Sequence, residues 1–213
     1  MTTSWQQQAA DDAALMHDFQ TLCSFGGRLS GTGQDDAAMD WALDRLREIG
    51  PDVRRVPVPY DGWRCVSSRL TLLGDAPVDL ECVPLLRSAS TPAQGLEGEV
   101  LDVGAGRPED FERAGDAVRG RIVLVRHEYP FSQTHVHRRR KYDMAVAQGA
   151  AAFLIANTLP GAGPLSGSSG RPRDGAGIPA AYIGHEAASA LTARSGARVR
   201  LQIQGEELRD SMA

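Results

Sequence analysis

The chain has 213 residues, 42% of them hydrophobic, and 23 Lys and Arg against 27 Asp and Glu give a formal charge of −4. That is enough apolar material for one large or two small cores, and the mild acidity speaks against nucleic acid as a general partner, which wants a basic surface. No basic stretch followed by an apolar one opens the chain, and nothing reaches the roughly 18 apolar residues of a membrane-spanning helix, so a cytoplasmic protein with no membrane partner is expected.

Leu15, Met16, Phe19, Leu22 and Cys23 recur at helical spacing and predict an amphipathic helix over residues 11–24. A glycine-rich turn, residues 25–33, follows. Thr32 or Ser30 can cap a second helix, residues 34–49, with Ala38, Ala42, Leu46 and Ile49 as its buried stripe and Gly50-Pro51 as its stop. Residues 53–60 alternate valines with arginines and prolines, which confines them to an edge or irregular strand. From Cys65 the period changes to two, and short strands are expected at 69–73, 78–83 and 99–103, then a helical turn within 104–116. Three cysteines without CxxC spacing, Cys23, Cys65 and Cys82, indicate neither a disulfide framework nor a zinc knuckle and are read as small buried hydrophobes.

The centre of the chain is its most apolar part. Residues 122–125 are aliphatic throughout, a strand buried on both faces. Residues 137–148 place Tyr142, Ala145 and Val146 on one helical face and end at Gly149, and residues 151–156 are apolar again. Strand, helix, strand at this spacing is a βαβ unit with parallel strands. Residues 159–177, rich in glycine, proline and serine, are expected as a mobile surface loop. A strand at 178–183, a short helix at 185–195 and a half-wet strand at 198–204 follow, and the polar residues 205–213 show no cap or stop.

No motif among these carries chemistry on its own. The run Arg138–Lys141 reads as a solvated helix face. Residues 28–33 lack both GxxxxGK[ST] and GxGxxG and stand after a helix, which favours a connector over a phosphate loop. His127, His135 and His137, with Glu128, have the donor types for one metal ion, but no HExxH or cysteine pair accompanies them; a wet loop is the simpler reading and metal binding stays open. Glu206-Glu207 lies where nothing desolvates either carboxylate. The serines at 166, 168 and 169 form no GxSxG elbow.

The segments Val118-Arg119-Gly120-Arg121-Ile122-Val123-Leu124-Val125-Arg126, then residues 147–157 (AQGAAAFLIAN), then Ile178-Pro179-Ala180 with Tyr182-Ile183, resemble in order the protease-associated (PA) domain. Residues 27–33 (GRLSGTG) and the helix ending in residues 43–50 (LDRLREIG) resemble the opening of M28-type zinc aminopeptidases. The resemblance implies an α+β or α/β fold, a PA-type sandwich-like open barrel with flanking helices, preceded by two N-terminal helices. It also implies that two zinc ions are held by a His-x-Asp pair, a Glu-Glu pair and further ligands in a domain that follows the PA domain. No His-x-Asp occurs in this sequence and Glu206-Glu207 comes too early, so no catalytic, cofactor-binding or metal residue is assigned.

The expected organisation is a lead-in of helices and edge strand at 1–60, a PA-like domain at 61–204 and a polar tail at 205–213. The expected function is a non-catalytic interaction or substrate-access module of such a peptidase, without its catalytic domain and inactive alone. Its expected partners are that domain or a peptide or protein ligand. A stand-alone PA binding protein, monomeric or homodimeric, and a hydrolase with an unrecognised site are the alternatives.

Overall fold

The computed structural model describes residues 4–30, 32–130, 134–169, 171 and 177–212. The chain divides into two compact units, one of residues 1–62 with 208–213, the other of residues 63–207.

The first unit is built on helices. A short one not foreseen, α1 (Trp5–Ala10), is capped by Ser4. Next come α2 (Ala13–Ser24), where the Asp12 carboxylate accepts from Ala14 N and Leu15 N, and α3 (Gly33–Ile49), capped by Thr32 with Asp35 and Asp36 against the positive dipole end. Arg45 pairs with Asp18 at 2.8 Å and Phe25 tilts against Trp41, tying α2 to α3. The stripe expected to be buried is not: in α3 only Ala38 is buried, while Leu15, Met16, Phe19, Leu46 and Ile49 are exposed. Two amphipathic helices alone cannot cover each other's apolar faces. Of the strand expected over residues 53–60 only Pro59 and Tyr60 form; residues 53–58 do not, since Pro57 supplies no ladder donor.

The sheet is eight-stranded, nearly closed and barrel-like with flanking helices, the mixed α+β fold expected; it lies in the second unit except for residues 59–62 and 208–212 at the ends of two strands. Its strands are β1 (Pro59–Leu72), β2 (Val78–Leu80), β3 (Cys82–Pro84), β4 (Leu96–Asp102), β5 (Ile122–Arg126), β6 (Ala152–Ala156), β7 (Ala180–Ile183) and β8 (Arg198–Met212), in the order β2-β1-β8-β4-β5-β6-β7-β3. Strands β4 to β7 are parallel, with Val100 opposite Ile122, Ile122 opposite Ala152 and Phe153 opposite Ala180. Three helices accompany them: α4 (Pro108–Ala114), α5 (Arg138–Ala147) and α6 (His185–Thr192).

The two-residue period of a strand sorts the apolar side chains into two cores. Ile122, Leu124, Leu154, Ala156, Ala181 and Ile183 face one way, with Val199, Leu201 and Ile203 of β8 and Ala187, Ala188 and Leu191 of α6. Val123, Val125, Phe153, Ile155 and Tyr182 face the other way, covered by Phe111 of α4 and Tyr142 and Ala145 of α5. Gly149, at φ 77°, ends α5 as expected.

Four expectations are corrected. The alternating run 78–83 is two strands, because Leu80 pairs with Leu70 of β1 whereas Cys82 pairs with Ile183 of β7; the break at Glu81 carries the chain between the two ends of the strand order. The tail begun at Gly205 continues β8 to Met212, since backbone ladders do not need apolar side chains, and Glu206 pairs across to Arg64 at 2.6 Å. The cysteines are not core residues: Cys23 and Cys65 are exposed and Cys82 is half-buried, its thiol pushed up to about 11 by desolvation. The loop expected over 159–177 is fastened at Ser169, which is buried and whose hydroxyl donates to the carbonyls of Leu86 and Arg87. Residues 170 and 172–176 of that loop, and Gly31 of the glycine-rich turn, lie outside the described residues.

Candidate functional site

Parallel strands bring their carboxyl ends to one edge of the sheet, where the connecting loops gather and where open α/β sheets bind ligands. Here that edge collects Asp102 from β4, Arg126 and His127 from the end of β5, and Asn157 from the end of β6, with Gly184 leading into α6.

Asn157 is buried and bonded through both side-chain polar atoms. Its Oδ1 accepts from the Tyr129 hydroxyl (3.0 Å) and Leu159 N (3.1 Å), and its Nδ2 donates to Gly163 O (2.9 Å). His127 extends the β5–β6 ladder through its N–H to Ala156 O (2.8 Å). Its ring stands edge-on to Tyr129, centroids 4.7 Å apart, and its Nδ1 lies 3.1 Å from the Tyr182 hydroxyl. Burial, then the charges of Lys141 and Arg138, hold the His127 pKa below its ordinary value, so the ring is neutral near pH 7.

Beneath this rim lies a buried ion cluster. The ammonium of Lys141, whose side chain is wholly buried, donates to Glu128 Oε2 (2.8 Å) and to Arg126 O (2.9 Å). Glu128 also accepts from Arg107 Nη2 (2.7 Å) and Nε (3.1 Å) and from Val136 N (3.2 Å). Burial alone would raise the Glu128 pKa, but the bonds from Lys141 and Arg107 outweigh it and hold the carboxyl down to about 2. The cluster fastens the β5–α5 connection to the sheet at Glu128 and Val136.

The solvated-face reading of Arg138–Lys141 is thus half right: Arg139 and Arg140 are exposed, whereas Lys141 points into the core one position before Tyr142. The helical period already assigns positions 138, 141, 142 and 145 to one face; the run of like charge hid it.

A depression of about 300 Å³ lies beside the rim, lined by Arg126, Asn157, Thr158, His185, Ala188, Ser189 and Thr192. Arg126 is steadied by a two-pronged pair with Asp102 (3.0 and 2.8 Å). The volume is at the low end for small-molecule sites, enough for one or two amino-acid side chains.

Of the sequence candidates, His135 and His137 stand 6.4 Å apart, and the Nδ1 of His137 caps α5 by accepting from Arg139 N (3.3 Å). Glu128 is consumed by four donor groups from three residues, and Glu207 pairs with Arg171 at 3.1 Å. Among the described residues no group of three or more His, Cys, Asp or Glu is placed to hold a metal ion. Asn157 and Tyr182 carry the PA resemblance and Lys141 ends the basic run, but the sequence assigns a site role to none of them, nor to Tyr129. For Asn157 a signal existed, a polar residue ending an apolar strand at the edge where loops meet; for the tyrosines none did.

The fold occurs in solved peptidases. A peptidase M28 precursor from Shewanella amazonensis aligns over 97% of this chain and 50% of its own, with TM-score 0.76 and 24% identity. The zinc aminopeptidase BSAP from Bacillus subtilis aligns over 93% and 45%, with TM-score 0.62 and 21% identity. An aminopeptidase from Aneurinibacillus sp. strain AM-1 aligns over 90% and 44%, with TM-score 0.60 and 21% identity. At these identities the likeness is one of fold, and the chain spans about half the length of these structures. No curated protein sequence matches the chain. The PA domain family matches residues 84–191, the stretch that holds β5, the buried Lys141–Glu128 cluster and the Asn157 rim, and the chain belongs to that family.

Proposed function

We propose that this chain is the PA-bearing part of an M28-type zinc aminopeptidase, and that it recognises peptide or governs its access to the active site instead of cleaving it. The observation that carries this reading is the PA match over residues 84–191 together with an alignment of nearly the whole chain, helices included, inside a peptidase M28 precursor structure twice as long. The apolar faces left open on α2 and α3 support a partner of the same kind, a peptidase catalytic domain.

The two zinc ions implied by such a peptidase do not fit the residues described. Glu128, Glu206 and Glu207 each serve a cation, the His137 lone pair serves a helix cap, and no trio of ligand side chains converges. No zinc-dependent step is therefore assigned to them. The residues at the carboxyl edge do something simpler: Asn157, Tyr129 and His127 hold a fixed rim, and the depression beside it offers hydroxyls and an imidazole to a peptide.

Access is tested in a chain that couples this module to an M28 catalytic domain, with residues 159–177 replaced by a short linker. The KM for longer peptides is expected to change by about tenfold, the size of one well-placed contact. Hydrolysis of aminoacyl p-nitroanilides should stay as it was. Unchanged cleavage of both substrates contradicts the role.

A further inference from the structure

The charge around the carboxyl edge runs against that of the whole chain. Arg138, Arg139 and Arg140 in the first turn of α5 supply it, with His135 and His137 just before them and the neutral His127 at the end of β5. Glu81, beside Gly163, and Glu109 of α4 are exposed carboxylates nearby, but four others are turned to other partners. Glu128 serves Lys141 and Arg107, Asp102 serves Arg126, Asp110 serves Arg107 N and Arg113, and Glu186 accepts from Gly161 N. Asp143, one turn beyond Arg139 and Arg140, is the one acidic residue on α5 and can balance one arginine.

Helix α5 itself is charged the wrong way round. Its first turn holds three arginines and no acidic residue, at the end where the helix dipole is already positive. Cations there oppose folding, so some other gain must offset them. The field they make is felt by their neighbours: beyond burial, Arg138 lowers the pKa of both His127 and His137, and His135 does the same. Arg138 leans inward, donating through Nε to Ser168 O (3.0 Å) and reaching the Tyr182 hydroxyl, so the positive charge borders the Tyr129–His127 rim. Tyr129, packed edge-on with His127 at this rim, keeps 38% of its surface exposed.

We infer that this edge binds acidic peptide segments, with the Glu or Asp carboxylates on Arg139, Arg140 and the α5 N-terminus and the peptide chain passing over Tyr129. The inference rests on the peptide-recognition reading above and names the chemistry of its ligand. A polynucleotide fits less well: the positive stretch is short, and phosphate backbones draw on basic surface over many contacts, which a chain of net charge −4 does not offer.

The test is fluorescence anisotropy on the full chain with three probes carrying the same uncharged fluorophore: a short Gly-Ser peptide holding three consecutive Glu, the same peptide with Gln, and a short oligothymidylate. The Glu peptide should bind at least about tenfold tighter than the Gln peptide, and should lose about fivefold or more between about 50 and about 300 mM NaCl, as screening dictates. Arg139→Gln with Arg140→Gln, both at exposed positions, should remove most of that preference without lowering the thermal midpoint, which relief of two cations at the positive dipole end should raise slightly. Equal binding of the two peptides overturns the acidic preference and leaves peptide recognition standing. Tighter binding of the oligothymidylate, or a double variant that binds like the parent, overturns the inference too. If neither peptide binds, the inference falls, and the loop replacement in a coupled peptidase decides the broader reading separately.

Discussion

Glu128→Gln is expected to cost about 3–5 kcal/mol of unfolding free energy, because it strips a wholly buried ammonium of its charged partner. Lys141→Met should cost less, since Glu128 keeps Arg107 and Val136 N when the lysine is gone. The double replacement Lys141→Met with Glu128→Leu should recover a large part of the loss, as buried ion pairs exchanged together for apolar groups often do. Urea denaturation followed by circular dichroism measures all three, and an additive double variant would mean the two side chains are not coupled.

The same cluster fixes a pH dependence. The Glu128 carboxyl titrates at about 2 in the folded chain, below the roughly 4.3 of an unfolded glutamate. A depressed carboxylate stabilises the fold above the unfolded value, and the gain disappears as pH falls from about 5 toward 2. His127 works in the same direction at higher pH: its folded pKa is lowered, so the unfolded chain takes up the proton first and acidification through about 6.5 removes stability. The doubly substituted protein lacks the first dependence and keeps the second.

Gly106→Val should be as damaging, by a different route. Gly106 sits at φ 71°, where a β-branched residue is strained, and a Cβ there would lie 2.6 Å from Val125 Cγ1 and 3.3 Å from Lys141 Cδ. Strain of about 1–2 kcal/mol and overpacking of about 1–3 kcal/mol put the loss near 3 kcal/mol or above. Gly120, also at φ 71° but with open space where its Cβ would go, supplies the control: Gly120→Ala should cost only about 1 kcal/mol of backbone strain. Equal losses at the two positions would show that the contact with Val125 is not the cause.

How far the sequence could be read depended on whether local pattern and long-range pairing agreed. They agree in β5 and β6, where every apolar position is buried because helices and strands cover both faces, and in α5, where Gly149 stops the helix. They part at residues 78–84, whose alternation is that of one strand although its halves pair with different partners. They part again after Gly205, where polar side chains hide a continuing ladder. The rim was the hardest to see. Asn157, Tyr129 and Tyr182 come from three separate stretches, and only the parallel register of β5, β6 and β7 brings them within hydrogen-bond reach of one another or of His127. Lys141 was hidden for a local reason, since a run of four basic residues looks solvated until helical phase singles out the one that points inward.

The proposal on which all this depends is that residues 1–213 bind and position peptide and do not themselves cleave it. It is tested most directly by incubating the purified chain with aminoacyl p-nitroanilides and added zinc while counting bound metal. The account predicts no turnover above the no-protein rate and no stoichiometric zinc; zinc-dependent hydrolysis with metal bound in fixed proportion would contradict it.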